Sequence, residues 1–153
     1  MMTPTLNELR KTATVQLAPA EAFELFTEHM AAWWPLATHS VGLENATGVE
    51  FEPGIGGQII ETSVGGSSST WGTVEVWEPP ARLGFTWHPG TPVEEATRVE
   101  VRFHATASGT TVELIHTGWD ARPDGIQARA QYDPGWDFVF GRFAEAGDGG
   151  LTT

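Results

Sequence analysis

The chain has 153 residues, of which 40% are apolar and 18% are charged, and it contains no cysteine. This length fits one domain with a substantial core, and the composition is too apolar for a disordered chain. With 20 acidic and 8 basic residues the net charge is −12, which disfavours nucleic acids and anionic membrane surfaces as partners. The absence of cysteine excludes disulfides and thiolate chemistry.

The first part of the chain predicts a strand followed by helices. Polar and apolar residues alternate over 11–17, as in a half-buried strand. Pro19 suits the first position of a helix, and Pro35 ends the helical stretch. Between them, apolar side chains recur at helical spacing, and two short helices with a break near Glu28 fit this pattern: Phe23, Phe26, Met30 and Trp33 or Trp34. Trp33 and Trp34 are adjacent and are not both expected to point inward, so one of them should be exposed or lie at the cavity mouth.

The middle of the chain predicts six strands joined by turns, over about 49–51, 58–62, 70–77, 83–87, 99–103 and 112–116. The turn at 54–57 joins two strands and precedes no helix, so it indicates a hairpin rather than a phosphate loop. In the third of these strands Trp71 and Trp77 alternate with Val74 and Val76, which predicts that the two indoles lie on the outer face or are only partly covered.

The last segment predicts a long helix. Asp133 and Pro134 have the form of an N-cap and first helical residue, Gly147 ends the helix, and residues 149–153 are expected to fray. One apolar stripe runs along it at i, i+3, i+4 and i+7: Trp136, Val139, Phe140 and Phe143. The element order predicts an α+β fold, in which a curved antiparallel sheet of about six to seven strands wraps around the C-terminal helix and leaves a cavity.

Several stretches resemble a known family. Residues 71–80, WGTVEVWEPP, continue through Arg82-Leu83 and Phe85-Thr86-Trp87, and residues 111–119 read TVELIHTGW. Together with Gly135-Trp136, they resemble Hsp90-ATPase-activator-like (AHSA1-type) domains of the SRPBCC, START/Bet v 1-like superfamily. The resemblance covers residues 10–146 and implies a helix-grip fold, with 1–153 as one domain.

The resemblance also implies a link to Hsp90 and to the stress response. The eukaryotic co-chaperone carries an additional N-terminal domain that docks on Hsp90, and this chain has no room for it. We therefore expect no stimulation of the Hsp90 ATPase. The superfamily hosts many functions, so the resemblance is specific for fold rather than for activity.

The candidate ligand-contacting residues are those expected to face the cavity or its rim: Trp34, His39, Phe85, Trp87, His116, Trp136 and Phe140. His116 is in register with buried positions, so it is either a hydrogen-bonded core residue or a ligand contact. His39 lies in a loop that is either ordinary surface or the cavity rim. For Glu61, periodicity does not identify the buried face; a solvated position is favoured over a pocket acid.

No pair of the five histidines has metal-binding spacing, so we expect neither a metal nor a cofactor. The leading functional hypothesis is a module that binds a small hydrophobic or aromatic molecule in the cavity. One alternative is an enzyme of the polyketide cyclase or hydrolase type, and another is a chaperone-linked interaction protein. No signal peptide or membrane span is apparent, so a cytoplasmic protein is expected, either monomer or homodimer.

The charge of −12 generates a first prediction. Because such a surface repels the phosphate backbone, no complex with duplex DNA should form at physiological salt. A gel-shift titration checks this, and a shifted band at low micromolar protein would contradict it.

Overall fold

The structure, a computed structural model, describes residues 8–152. Its strands and helices are β1 (Leu9–Val15), α1 (Pro19–Phe26), α2 (Met30–Trp33), β2 (Ala46–Phe51), β3 (Gln58–Ser63), β4 (Ser68–Glu78), β5 (Arg82–Trp87), β6 (Thr97–Ala105), β7 (Thr110–Thr117), α3 (Gly125–Ala146) and β8 (Gly150–Thr152). No helix in this described part is long and apolar enough to cross a membrane.

The strands form one antiparallel sheet in the order β2-β3-β4-β5-β6-β7-β1-β8. Helix α3 packs against β1 and β8, and α1 packs against β6. This is the predicted α+β helix-grip fold, with one strand more than expected. The predicted stripe of α3 is confirmed, because all four of its side chains are buried: Trp136, Val139, Phe140 and Phe143.

The predicted break between the first two helices is also confirmed. The first turn of α1 begins at Pro19, and the Glu21 carboxylate accepts a hydrogen bond from the Ala18 amide at 3.1 Å. At the other end, the Thr27 hydroxyl donates to the Phe23 carbonyl at 2.8 Å. The chain then bends, and α2 starts at Met30.

The predicted start of the long helix is wrong. Helix α3 begins at Gly125, and Pro134 lies inside it at an exposed position. Asp133 does not cap the helix; its carboxylate and that of Asp137 form ion pairs with Lys11 of β1. The Asp-Pro pattern reflects only the local preference of these residues for a helix start. In the folded chain, the two acids instead connect the helix to the sheet.

The expected fraying after the helix is wrong as well, because residues 150–152 pair with β1 as an additional edge strand. Glycines permit this return. A Cβ atom on Gly149 would lie 1.7 Å from the Thr14 carbonyl oxygen, so only glycine allows the tail to approach β1 so closely. The Gly147 carbonyl also accepts a hydrogen bond from the Gln16 amide at 2.9 Å.

Packing between α2 and α3 yields a prediction about stability. The Phe143 ring is fully buried, and its centroid lies 5.3 Å from those of Phe26 and Trp33. Phe143→Ala should lower the free energy of unfolding by about 3–5 kcal/mol, because it removes buried contacts and leaves a void. Urea denaturation measures the change. Ile126→Ala, at an 88% exposed position of the same helix, is the control, and equal losses in both variants would contradict the assignment.

Candidate functional site

A cavity of about 540 Å³ opens between α3, the ends of β4 and β5, and the loops 34–41 and 88–91. Four buried indoles form its wall: Trp34, Trp71, Trp87 and Trp136. The Trp34 ring centroid lies 5.0 Å from that of Trp71, 5.8 Å from that of Trp87 and 6.0 Å from that of Trp136. The indoles therefore form one continuous aromatic surface.

The four indole N–H groups are all satisfied within the protein. Each donates to a different acceptor: Trp34 to the His39 carbonyl at 2.7 Å, Trp71 to the Glu61 carboxylate at 2.9 Å, Trp87 to the Tyr132 hydroxyl at 3.1 Å, and Trp136 to His116 Nδ1 at 3.0 Å. Since these donors are engaged, the indoles present their rings to the cavity rather than polar groups.

Trp33 and Trp34 point in different directions, and Trp34 lies at the cavity, which is one of the two placements that the sequence allowed for one of this pair. Helix α2 ends at Trp33, and Trp34 adopts an extended backbone, so the two side chains are not related by helical geometry. Trp33 packs into the core and donates its N–H to the Leu25 carbonyl at 2.8 Å, whereas Trp34 faces the cavity. Both are less than a tenth exposed.

The outward placement of Trp71 is wrong, since its indole is fully buried in the cavity wall. The pairing of β3 with β4 shifts register at Trp71, since Ile59 pairs with Gly72 and Ile60 with Thr70, so simple alternation does not hold along β4. Gly72 helps to bring the strands together, because a Cβ there would lie 1.7 Å from the Thr86 carbonyl oxygen. Trp77, by contrast, is partly covered, as one of the two alternatives allowed.

Glu61 is not a solvated strand residue, as the sequence favoured, but a carboxylate only 1% exposed. It accepts hydrogen bonds from the backbone amides of Val41 and Gly42 at 2.8 and 2.7 Å, in addition to the Trp71 N–H. These three donors compensate the burial of its charge. Glu61 therefore fixes the position of the loop at the cavity rim relative to one indole of the cavity wall.

His116 is fully buried behind the wall, and both of its ring nitrogens are hydrogen-bonded. Nδ1 accepts the Trp136 N–H, and Nε2 lies 2.6 Å from the Thr97 hydroxyl, which lies 3.2 Å from the Trp87 carbonyl. This chain of contacts assigns the ring proton to Nε2, which donates to the Thr97 hydroxyl, while that hydroxyl donates its own hydrogen bond to the Trp87 carbonyl. Burial, together with the positive charge of Arg122, lowers the pKa of His116 to about 3, so the ring is neutral.

The structure brings only some of the predicted candidates to the cavity surface. Trp34, His39, Trp87 and Trp136 line it. Phe85 packs behind it against Phe51, at 5.6 Å between centroids, and Phe140 stacks on Phe143 at 5.5 Å. Phe85 and Phe140 thus support the wall from the core, and His116 supports it through Trp136.

His39 lies at the rim, where its ring stacks on Phe138 of α3 at 5.1 Å between centroids. Burial lowers the pKa of His39, and its Nδ1 lies 2.7 Å from the Thr38 hydroxyl. The contact with Phe138 closes part of the gap between the loop and the helix.

Sequence reasoning missed Tyr132 and Arg122, which supply polar groups to the cavity. Tyr132 lies one helical turn before Trp136 and would have been found had the helix been extended back past Pro134. Burial raises the pKa of Tyr132, while the Trp87 hydrogen bond and the charge of Arg122 act in the opposite direction. Arg122 pairs with Asp124 through Nε at 2.8 Å and Nη2 at 3.0 Å.

One cluster with metal-ligand atoms lies elsewhere on the described surface. Glu24, Glu28 and His29 offer ligand atoms within 4.8 Å of one another, and all three side chains are exposed. Exposed acidic groups commonly lie this close without an ion, so the cluster alone does not argue for metal binding.

Comparison with known proteins places this geometry in context. Residues 16–147 match the sequence profile of the family described as Activator of Hsp90 ATPase homolog 1-like protein. A search of curated proteins found no match. Among solved structures, the anthrahydroquino-gamma-pyrone synthase Txn09 is 31% identical, with a TM-score of 0.65 and coverage of 94% of this chain and 99% of its own.

Two further structures show the fold alone. MLL2253 from Mesorhizobium loti is 18% identical, with a TM-score of 0.64 and coverage of 90% of this chain and 94% of its own. DynU16, a protein of the dynemicin biosynthetic locus, is 21% identical, with a TM-score of 0.65. The alignment with DynU16 covers 91% of this chain and 46% of that protein.

The neutral, buried state of His116 predicts an acid-dependent loss of stability. Below its ordinary pKa of 6.5 the unfolded chain protonates this ring, whereas the folded chain does so only near pH 3. The contribution of the neutral His116 ring to the free energy of unfolding is therefore complete above pH 6.5 and is lost progressively towards pH 3. Between pH 6.5 and about 5, wild type should lose roughly 2 kcal/mol more unfolding free energy than His116→Gln.

Urea denaturation at several pH values measures this difference. His104→Gln, on the exposed side of β6, is the control and should follow wild type. Parallel pH profiles for wild type and His116→Gln would refute the assignment.

Proposed function

Because the chain belongs to the Activator of Hsp90 ATPase homolog 1-like family, whose fold provides a ligand-binding cavity, we propose that it binds a planar aromatic small molecule between its four indoles. The observation that carries this proposal is the cavity wall itself. Its indole N–H groups are engaged by the protein, which leaves ring surfaces for stacking and apolar contact.

The size of the cavity suits such a ligand. A volume of about 540 Å³ lies within the range of small-molecule sites, roughly 300–1,000 Å³. Burial of apolar area contributes about 25 cal/mol per Å². Contact with the aromatic wall therefore favours binding of even a small aromatic molecule. Because the wall is already formed, the side chains of the protein lose little conformational freedom on binding.

A second candidate function is an enzyme that acts on an aromatic substrate in the same cavity. It is favoured by the 31% identity with Txn09, a synthase, over nearly the full length of both chains. His116 is a poor proton carrier for such a reaction, because both of its nitrogens are engaged and its pKa is about 3. Tyr132, which lines the cavity, is the better candidate for a proton donor.

Gly135 offers a direct test of the binding proposal. This glycine lines the cavity from α3, and a Cβ placed on it meets no atom within 4 Å. Gly135→Leu should fill cavity space without strain and should not lower the melting temperature, since glycine is a poor helix former. The affinity for three-ring aromatic compounds, measured by quenching of indole fluorescence, should fall at least tenfold.

Gly141→Leu is the matched control, because Gly141 lies on α3 outside the cavity lining and has only one neighbouring atom, at 4.0 Å. It should bind as wild type does. Equal affinity in Gly135→Leu and Gly141→Leu would place the ligand elsewhere. Native mass spectrometry of the purified protein would show any ligand that co-purifies, and a product that forms only with active protein would favour the enzyme.

A further inference from the structure

On the basis of the proposed aromatic-ligand function, we infer that the ligand carries a carbonyl or phenolate oxygen conjugated to its rings. Tyr132 and Arg122 bind this oxygen and determine specificity, while the indoles bind the ring system. Both residues line the cavity, Tyr132 from the middle of α3 and Arg122 from the loop that precedes it.

The first step of the argument concerns the hydroxyl of Tyr132. Its oxygen accepts the Trp87 N–H at 3.1 Å, and an indole nitrogen can only donate. The phenolic proton is therefore not used in that bond and can be donated to an acceptor in the cavity. The Tyr132 ring packs against both His116, at 5.0 Å, and Trp119, at 5.6 Å between centroids, which restricts the direction of the hydroxyl.

The second step concerns the guanidinium of Arg122, whose side chain is only 15% exposed. Asp124 binds it through Nε and Nη2, so Nη1 is the terminal nitrogen that Asp124 does not engage. Burial raises the pKa of Tyr132, and the charge of Arg122 and its hydrogen bonding to the phenol lower it while the charge of Asp124 raises it, so the guanidinium lies beside the Tyr132 hydroxyl. A donor hydroxyl and a partly buried cation thus act on the same region, an arrangement that favours a partially or fully negative oxygen.

The third step is the composition of the whole lining. Although the chain has 20 acidic residues, none of the described residues that line the cavity carries a carboxylate. Arg122 is the one lining residue with a permanent positive charge, and burial lowers the pKa of His39 at the rim. A cationic aromatic ligand would meet no counter-charge in this lining, whereas an oxygen acceptor would find the Tyr132 hydroxyl and the charged Arg122 guanidinium beside further hydroxyl and amide donors.

The experiment compares two three-ring probes, alizarin and phenanthrene. Alizarin carries carbonyl and phenol oxygens, and its colour changes when the phenol ionises; phenanthrene carries no oxygen. Tyr132→Phe and Arg122→Gln should each weaken alizarin binding fivefold or more and leave phenanthrene binding within twofold. Alizarin bound to wild type should ionise at a pH about one unit lower than free alizarin, and Arg122→Gln should remove this shift.

Arg142→Gln is the control for net charge, because it removes the same charge from an exposed position of α3 outside the cavity lining. It should bind both probes as wild type does. Arg122→Gln leaves the bond between Trp87 and Tyr132 in place, so it remains decisive if Tyr132→Phe disturbs the wall. If neither probe binds wild type, the proposed function fails and this inference with it. If both bind, but the variants weaken both equally or neither, only this inference fails.

Discussion

Four indoles can surround a cavity only if each N–H group has a fixed acceptor, because a buried donor without a partner costs about 1–3 kcal/mol. Here the acceptors are a carboxylate, an imidazole nitrogen, a phenol and a backbone carbonyl. The carboxylate and the imidazole are themselves buried; backbone amides donate to the carboxylate, and the imidazole donates its Nε2 proton to the Thr97 hydroxyl. The shape of the cavity therefore depends on a polar network behind an apolar surface.

The same hydrogen bonds also connect strands, helix α3 and a loop around the cavity. Glu61 on β3 fixes the loop at residues 41–42, and His116 on β7 connects β6 to α3 through Thr97 and Trp136. Tyr132 connects α3 to Trp87 of β5. Removing one of these acceptors would leave a buried donor unpaired and also release a connection between elements, so stability and cavity shape are coupled.

Much of the fold could be predicted from the sequence, wherever hydrophobic periodicity alone determines which side chains are buried. The buried faces of β6, β7 and α3 follow simple repeats, and His116 was placed inward on that basis. Prediction failed where tertiary contacts override the repeat. The register shift between β3 and β4 at Trp71 buries this indole, which simple alternation places outward. The sequence predicts that the long helix starts at Pro134, whereas it continues through this residue. Because the predicted helix lacks these first turns, it does not include Tyr132.

The two proposed functions of this cavity, binding and catalysis, differ in whether the hydroxyl proton of Tyr132 is transferred. A binding site needs the Tyr132 hydroxyl only to donate a hydrogen bond, whereas an enzyme must move that proton and replace it. Burial raises the pKa of Tyr132, which keeps the proton on the phenol, while Arg122 opposes this and stabilises negative charge nearby. His116 is neutral and engaged at both nitrogens, so its ring offers no free nitrogen to exchange a proton with Tyr132. The indole wall suits both proposed functions, and they are distinguished by what happens to the Tyr132 proton when a ligand is bound.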